Sequence, residues 1–439
     1  MKRLISINPH FLLLLSVSLS LAGCSNFVER GGREESSQIV VIRNGVVISA
    51  TGMDPVLNGI VAAEGDRIIY VGEEGGYSIP RGAIVYDADG GTILPGFIDA
   101  HTHTTSDPAV RREFLVGGVT TVCDLGSALS QMPQFEIEIV GEDPVARGLK
   151  AGPILTAPGG LPGAVLGGGL NYEVASPEEG RAAVEDLHQR GASFIKVYLQ
   201  EEVGGVSFPM LDEATLAAII EKAHALSLPV RAHVTYSSLL EMAVSAGVDS
   251  IDHVPINSTQ AETESGSDDQ TELTFDEAAR EYEAQLQKMV EAGIVFVPTL
   301  ERPYGELFRL TSRTPEESFA LEVILWIVGT YNALGGDVGL GTDFNIGSNI
   351  EAGMPIGEME MLLAAGLTPM EIIEAGTRNA AAACGQGDVL GTLEMGKLAD
   401  VIVVDGNPLE DITLMDRVTL VVKDGIVSFI SDEMLEINE

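Results

Sequence analysis

The sequence predicts an α/β fold, a (β/α)8 TIM-type barrel with a small discontinuous β-sandwich domain built from both chain ends. Short strand-like segments broken by glycine turns fill residues 39–94, and the same texture returns over residues 387–439. Between them, strand-like and helix-like segments alternate, which indicates a parallel sheet. Residues 95–386 are long enough for eight strand–helix units, as one barrel requires.

Each predicted barrel strand is a short apolar run that ends near a polar residue. In order they are FIDAHTH (97–103), VTTVCDLG (119–126), GPILTAP (152–158), FIKVYLQ (194–200), PVRAHVT (229–235), SIDHV (250–254), IVFVPTL (294–300) and VGLGTDF (338–344). Helical periodicity lies between them at 177–191, 211–227 and 282–293. The polar, acidic stretch 257–277 is interpreted as a loop over the barrel mouth or as a disordered insertion.

The N-terminus has the layout of a secretory signal, with a basic start at residues 1–3 and an apolar run over 11–21 that is too short to span a bilayer. The ending Leu-Ala-Gly-Cys resembles the lipobox of bacterial lipoproteins, in which the signal is cut before a cysteine that carries the lipid. We expect a signal over 1–23, a lipid-modified Cys24 and a polar tether over 24–38. The protein would then be exported and anchored to the bacterial cell envelope, whereas an ordinary signal with a chance cysteine is the alternative.

Acidic residues dominate the charge. The chain has 65 Asp and Glu against 25 Lys and Arg, a formal net charge of -40. Such a surface repels phosphate backbones, so nucleic acid is not an expected partner. The surplus is typical of a protein that stays soluble in high salt, although an acidic exported protein would look the same. Nothing in the sequence indicates an oligomeric state.

Apart from Cys24, the chain has two cysteines, Cys123 and Cys384, and they fall in different predicted elements. Two cysteines do not make a disulfide framework. We therefore expect two buried, apolar, unpaired cysteines.

Histidines cluster at the predicted strand ends. His101 and His103 are two residues apart on one strand and so point to one face. His233 and His253 lie on later strands, and Asp343 ends the last one. Neutral imidazole is the commonest metal ligand, and the carboxyl ends of barrel strands converge on one site. The sequence therefore predicts a metal site built from these five residues.

These residues carry a family resemblance. Gly-Phe-Ile-Asp-Ala-His-Thr-His at 96–103, followed by Lys196, His233, His253 and Gly-Thr-Asp at 341–343, resembles the amidohydrolase superfamily. The ending Thr-Arg-Asn-Ala at 377–380, Leu-Gly at 390–391 and Glu-Met-Gly-Lys-Leu-Ala-Asp at 394–400 resembles the close of the same family. The similarity covers residues 39 to about 435.

Lys196 stands alone in the apolar strand Phe-Ile-Lys-Val-Tyr. Burial lowers the pKa of a lysine, and a neutral amine can add carbon dioxide to become a carbamate. The two-metal branch of the family uses a carboxylated lysine at this strand, so the resemblance implies the same here. The alternative is a lysine that extends out of the barrel to solvent.

The resemblance also implies roles. His101, His103 and Asp343 would hold one metal, His233 and His253 the other, and carboxylated Lys196 would bridge two divalent ions. Zinc suits these ligands best, but manganese, iron and cobalt stay open. A bridging hydroxide would attack an amide carbonyl while Asp343 carries the proton to the leaving nitrogen. Asp99, expected on the face of His101, is a candidate to support the ligands.

The segments Gly-Val-Thr-Thr-Val-Cys-Asp at 118–124 and Ala-Ser-Phe-Ile-Lys-Val-Tyr at 192–198 look like the prolidase-like branch near imidazolonepropionase. Members of that branch hydrolyse dipeptides, so an amide or dipeptide substrate is expected. That branch often has Gly-Gly-His after the third strand, whereas residues 157–163 here contain no histidine. Tyr198 and Tyr236 are candidates to line the pocket, and Arg231 is a candidate to bind a substrate carboxylate.

Three other classes compete with the amide hydrolase. A one-metal aminohydrolase, or deaminase, would need fewer metals per chain. A non-catalytic surface binding lipoprotein would not need an intact ligand set. A carbohydrate-active barrel would need paired carboxylates and aromatic platforms, yet the chain has one Trp and only 5% aromatic residues.

Overall fold

The computed structural model describes residues 38–140, 143–167, 169–256 and 275–438. The predicted signal, Cys24, most of the tether and most of the acidic insertion lie outside the described residues. Within the described ranges, no helix combines the length and apolar character needed to cross a bilayer.

Numbered along the chain, the strands are β1 (Ile39–Val47), β2 (Val56–Glu64), β3 (Arg67–Glu73), β4 (Ile84–Asp87), β5 (Thr92–Pro95), β6 (Phe97–Thr102), β7 (Val119–Asp124), β8 (Ile139–Val140), β9 (Asp143–Pro144), β10 (Arg147–Lys150), β11 (Ile154–Thr156), β12 (Asn171–Glu173), β13 (Ile195–Leu199), β14 (Glu202–Val203), β15 (Val206–Ser207), β16 (Val230–Val234), β17 (Ser250–Asp252), β18 (Val295–Val297), β19 (Val401–Val404), β20 (Val418–Lys423) and β21 (Ile426–Ile430).

The helices are α1 (Pro108–Val116), α2 (Gly163–Leu166), α3 (Pro177–Gln189), α4 (Glu213–Ala225), α5 (Leu240–Ala246), α6 (Phe275–Glu291), α7 (Glu301–Arg309), α8 (Pro315–Ala333), α9 (Ile356–Ala364), α10 (Pro369–Glu374), α11 (Ala380–Ala383) and α12 (Asp432–Asn438). The three helical stretches predicted from periodicity correspond to α3, α4 and α6. The start of α3 is set by Ser176, whose hydroxyl accepts a hydrogen bond from the Glu179 amide, and by Pro177 in the first turn.

Strands from the two chain ends pair with each other. One eight-stranded sheet has the order β21-β20-β19-β5-β1-β2-β3, with β4 beside β1. Its strands are rich in Val and Ile, which suit a pleated, half-buried surface. Neighbouring residues such as Val41 and Ile42 pack into different apolar clusters on the two faces. The pairing thus gives one continuous sheet at the place of the predicted β-sandwich domain.

The central strands are parallel. One sheet has the order β10-β7-β6, and another contains β11-β13-β16-β17-β18. β10 and β11 follow each other along the chain, but among the described residues no ladder joins them, because β11 pairs with β12 and β13. The predicted eighth strand has only the isolated bridges Phe296–Val338 and Thr102–Phe344, which place it between β18 and β6. The strands β13, β16, β17 and β18 follow one another in the predicted order, whereas β10 beside β7 was not predicted and the sheets do not form a closed ladder.

The cysteines differ from the prediction. Cys123 in β7 and Cys384 after α11 are fully buried, as expected, but they form a disulfide with Cα atoms 6.7 Å apart. The prediction of unpaired cysteines was wrong. The two cysteines are 261 positions apart along the chain, so their sequence spacing gives no indication that they are neighbours in the fold. α11 packs into the same apolar cluster as Cys123 and brings Cys384 to it, a contact that sequence spacing does not reveal.

Candidate metal centre

The predicted ligands lie at the carboxyl ends of the parallel strands. His101 is the penultimate residue of β6, and His103 directly follows that strand. His233 is the penultimate residue of β16. His253 comes directly after β17, and Asp343 lies in the eighth segment, where its amide donates to the His101 carbonyl. The parallel register therefore brings together residues that are up to 242 positions apart, as the sequence predicted.

His101, His103 and Asp343 form the tightest group. One ligand atom from each lies within 4.8 Å of the other two. Among the described residues, this is the group of three His, Cys, Asp or Glu side chains whose ligand atoms are close enough together to hold one metal ion. His103 Nε2 is 3.3 Å and His101 Nε2 is 3.6 Å from Asp343 Oδ1. The buried Nε2 of His101 has no hydrogen-bond partner among the described residues. Two imidazoles and a carboxylate around an unsatisfied nitrogen fit a divalent cation.

His233 and His253 lie beside this group. Their ring centroids are 4.4 Å apart, and the ring of His253 is 4.8 Å from that of His101. A neighbour fixes each ring, because His233 Nε2 lies 2.8 Å from Gln200 Oε1 and His253 Nδ1 lies 2.7 Å from Thr299 Oγ1. One nitrogen of each ring is thereby oriented, and the other is left for a ligand role.

Lys196 is 1% exposed on β13, and its ammonium binds the carboxylate of Asp252. Burial lowers the pKa of Lys196 to about 8, against the opposing attraction of Asp252. Its charge also lowers the pKa of His101, His233 and His253, so it lies close to all three rings. An amine that titrates near neutral pH meets the requirement for carbamate formation, which remains a prediction.

Burial controls the charge of the histidines. It lowers the pKa of His101 and His233 well below the usual value and that of His253 to about 4, so these rings are neutral, the form that binds metal. Burial also disfavours a charged His103, but the bond to Asp343 outweighs it and the pKa rises. For Asp343, burial would raise the pKa, yet His103 and His101 hold it below its usual range.

Supporting residues surround the ligands. The predicted supporter Asp99 is fully buried and accepts hydrogen bonds from the Thr342 amide at 3.1 Å and the Thr342 hydroxyl at 2.6 Å, directly before Asp343. Sequence reasoning missed Asp252, whose Oδ1 lies 3.2 Å from His101 Nδ1. Its only sequence signal is its place directly before His253 in a predicted strand.

The substrate-contact predictions have different outcomes. Arg231 is fully buried, and its guanidinium binds Asp252 and the Ala100 carbonyl. Its Nη1 and Nη2 are therefore engaged beneath the candidate ligands, whereas its buried Nε has no hydrogen-bond partner among the described residues. This placement is contrary to the expectation that Arg231 binds a substrate carboxylate. Tyr198 stacks on His233 with centroids 3.8 Å apart, and the Tyr236 hydroxyl donates to the Glu202 carbonyl at 3.4 Å.

A cavity of about 290 Å³ opens onto the ligands. Its described lining includes His233, His253 and Asp343 together with Arg302 and Tyr304. Arg302 was not predicted, although it follows the seventh strand by a few residues. A larger cavity, about 870 Å³, is lined by residues such as 128–130 and 169–173 and by none of the candidate ligands. We place the chemistry in the smaller cavity because three of the candidate ligands, His233, His253 and Asp343, line it.

Comparisons with known proteins give the family. The sequence profile of the amidohydrolase family matches residues 92–427. Ochratoxinase from Aspergillus niger is 26% identical over 442 aligned positions, covering 87% of this chain and 84% of the relative. Imidazolonepropionase from Symbiobacterium thermophilum is 25% identical, covering 79% and 83%.

Solved structures share the fold. A Xaa-Pro dipeptidase with bound methionine superposes with a TM-score of 0.70 at 22% identity, covering 90% of this chain and all of that chain. The Aspergillus niger ochratoxinase structure gives a TM-score of 0.71 at 23% identity, covering 91% and 97%. With its profile match over most of its length, the chain belongs to the amidohydrolase family and is a hydrolytic enzyme that acts on carbon–nitrogen bonds.

Proposed function

We propose that the protein is a metal-dependent amide hydrolase built on a (β/α)8 barrel, and that it acts as a dipeptidase of the prolidase type. The observation that carries the proposal is the convergence of His101, His103 and Asp343 within 4.8 Å, with Asp343 also lining a cavity together with His233 and His253. The buried Lys196 beside them supports the two-metal version over a one-metal version.

In this proposal His101, His103 and Asp343 would hold one divalent ion, His233 and His253 would hold the other, and Lys196, as a carbamate, would be the further ligand. When bound, divalent ions, most readily zinc, would supply polarisation of the scissile carbonyl and a lowered pKa for water. The Asp343 carboxylate accepts a proton from the attacking water and returns it to the amide nitrogen, which leaves as an amine. Asp343 is suited to this task because its pKa is held low, so the acceptor form dominates at neutral pH.

The cavity and the related structures bear on the substrate class. A cavity of about 290 Å³ suits a small group rather than a long peptide. A Xaa-Pro dipeptidase is among the solved structures with this fold, which supports a dipeptide. The absence of a histidine from residues 157–163 indicates that this part of the pocket differs from the pattern of that branch.

The test is metal analysis of the purified protein with a screen of dipeptides and cyclic amides. We expect about two metals per chain, and Lys196→Ala should retain one or fewer while hydrolysis falls by several orders of magnitude. Lys196→Arg should not restore activity because a guanidinium stays charged and cannot form a carbamate. Lys222→Ala, which removes a half-exposed lysine paired with Glu185, is the matched control.

One metal per chain, with activity that survives Lys196→Ala, would contradict the two-metal hydrolase. That result would favour the deaminase, in which His101, His103, His233 and Asp343 serve the single metal and Lys196 is only a strand residue. Loss of all metal binding would instead favour the non-catalytic surface lipoprotein.

We also propose that the protein is exported and lipid-anchored through Cys24. The Cys123–Cys384 disulfide supports export because disulfides persist in oxidising compartments. Expressed in a bacterium, Cys24→Ala should leave an uncut precursor or release soluble protein, as followed by membrane fractionation and mass of the mature chain. Normal processing with unchanged membrane partition would exclude lipid attachment at Cys24.

A further inference from the structure

The turn after β18 reaches both halves of the candidate metal centre. We call residues 299–302 the clamp turn. Thr299 Oγ1 lies 2.7 Å from His253 Nδ1. Arg302 Nη1 donates to the backbone carbonyl of Asp343 at 2.7 Å, and Arg302 Nε lies 3.5 Å from Asp343 Oδ2. One short segment therefore contacts a proposed ligand of each metal.

The residues that meet at the clamp turn have unusual backbones. The φ angles of Thr299, His253 and Asp343 are 51°, 73° and 57°, in the left-handed region that residues with a side chain rarely adopt. Such conformations cost free energy and persist only where the surroundings hold them. At Asp343 the amide donates to the His101 carbonyl at 2.7 Å, and its own carbonyl accepts from Arg302. Arg302 therefore supplies one of the two backbone bonds that fix this ligand.

A buried carboxyl group anchors the clamp turn. Glu358 on α9 is 0% exposed, and its two oxygens accept from the amides of Leu300 at 2.9 Å and Glu301 at 2.6 Å. These amides belong to the start of α7, where backbone donors lack partners within the helix. Arg309 pairs with Glu301, whereas the contacts of Glu358 among the described residues are these two backbone amides, so they serve the turn rather than a neighbouring cation.

We propose that Glu358 is a positioning residue for the metal centre and acts through the clamp turn, where Thr299 fixes the ring of His253 and Arg302 fixes Asp343. The inference rests on the proposed ligand set but adds residues that do not themselves bind metal. Groups that orient ligands in this way typically change metal affinity or activity about 10- to 100-fold when removed.

The main test is Glu358→Gln, which keeps the size of the side chain but replaces one acceptor oxygen with an amide NH2. We expect metal affinity, measured by competition with a chelator, to fall about 10- to 100-fold, and kcat to fall with it. KM should change less than about twofold because the clamp turn positions ligands rather than substrate. Glu360→Gln, on an exposed residue of the same helix, is the matched control and should leave all three quantities unchanged.

Two further variants separate the contribution of the Thr299 contact to metal affinity from that of the Arg302 contact. Thr299→Val removes the His253 partner at nearly constant volume, and Arg302→Met removes the donors to Asp343. Each should weaken mainly one of the two metals, and each should combine less than additively with Glu358→Gln, because all act through one turn. Arg302→Lys should recover part of the loss, since one ammonium can replace the bond to the carbonyl. Arg181→Met, on a half-exposed arginine, is the control.

A lower melting temperature of metal-free Glu358→Gln, with metal affinity and kcat unchanged, would show that Glu358 serves only stability and would overturn the proposal. A rise in KM alone for Arg302→Met would also overturn it, because Arg302 would then bind substrate. The affinity measurements need no substrate. A protein whose metal affinity depends on the clamp turn but that cleaves no amide would therefore refute the proposed function and leave this inference standing.

Discussion

At the scale of single residues, Glu358 should make the free energy of unfolding of the whole protein depend on pH. Burial raises its pKa to about 8, since the Leu300 and Glu301 amides only partly offset desolvation and the carboxylates of Glu301 and Asp99 raise the pKa further. In the unfolded chain the pKa is near 4.5. Between these values the native state binds a proton that the unfolded state does not, so the free energy of unfolding falls as pH rises.

The expected size of this effect is up to about 1.4 kcal/mol per pH unit between pH 5 and 8, with no further contribution above pH 8. Glu358→Gln cannot titrate, so its free energy of unfolding should vary less steeply with pH than that of the wild type. Denaturant unfolding of the metal-free proteins at several pH values measures both slopes. Equal slopes over this window would contradict the raised pKa.

Residue types and spacing predicted the candidate ligands but not the residues that support them. His101 and His103 can be recognised because they are two residues apart on one predicted strand, and Asp343 because it lies at the end of another. Thr299 and Glu358 have no such signal, because each is defined by a partner that only the fold brings near. Arg231 shows the limit of strand alternation, which gives the face of a side chain but not its depth along the strand.

At the scale of elements, the eighth barrel segment was predicted as a strand and has only isolated bridges. The left-handed backbone of Asp343 breaks the regular ladder in this segment. Gly341 is required there, because a Cβ atom would lie 2.6 Å from the His101 Cβ. The functional geometry thus explains the departure from regular structure, and strand propensity alone does not contain that information.

The disulfide and β10 were also missed at this scale. β10 is short, contains Arg147 and Lys150, and so lacks the apolar run that marks the other barrel strands. The Cys123–Cys384 pairing depends on how α11 packs against β7, which is a tertiary contact. Local patterns predict which elements exist, whereas contacts between distant elements decide how they connect.

At the scale of the whole molecule, the similar texture of the two chain ends predicted that they form one β structure, and the eight-stranded sheet confirms that they pair. The sheet and the parallel strands nevertheless belong to one compact unit, Gln38–Glu439. Arg147 of β10 joins them, because its Nη1 lies 2.8 Å from Asp400 Oδ2 and it also binds Asp424. Charged residues far apart in sequence created this connection, so the sequence alone did not reveal it.

The net charge of -40 leads to the last prediction, which concerns salt. Like charges on a compact surface repel one another, and the repulsion destabilises the folded state. Screening shortens the reach of a charge from about 30 Å at 0.01 M salt to about 3 Å at 1 M. Salt also weakens surface ion pairs such as Lys288–Glu241, but each of these contributes only about 0–1 kcal/mol. With acidic residues in such excess, relief of repulsion should dominate.

We therefore expect the melting temperature to rise as sodium chloride increases from about 0.01 M to 1 M, most steeply at the low end, where the screening length changes most. The measurement is made with metal-free and metal-loaded protein, so that an effect of salt on metal binding is separated from an effect on the fold. Sucrose at matched osmolality is the control, because it favours compact states without screening charge. A flat or falling melting temperature in sodium chloride would show that the acidic surface does not limit stability at low salt, since repulsion among these carboxylates must weaken whenever they are screened.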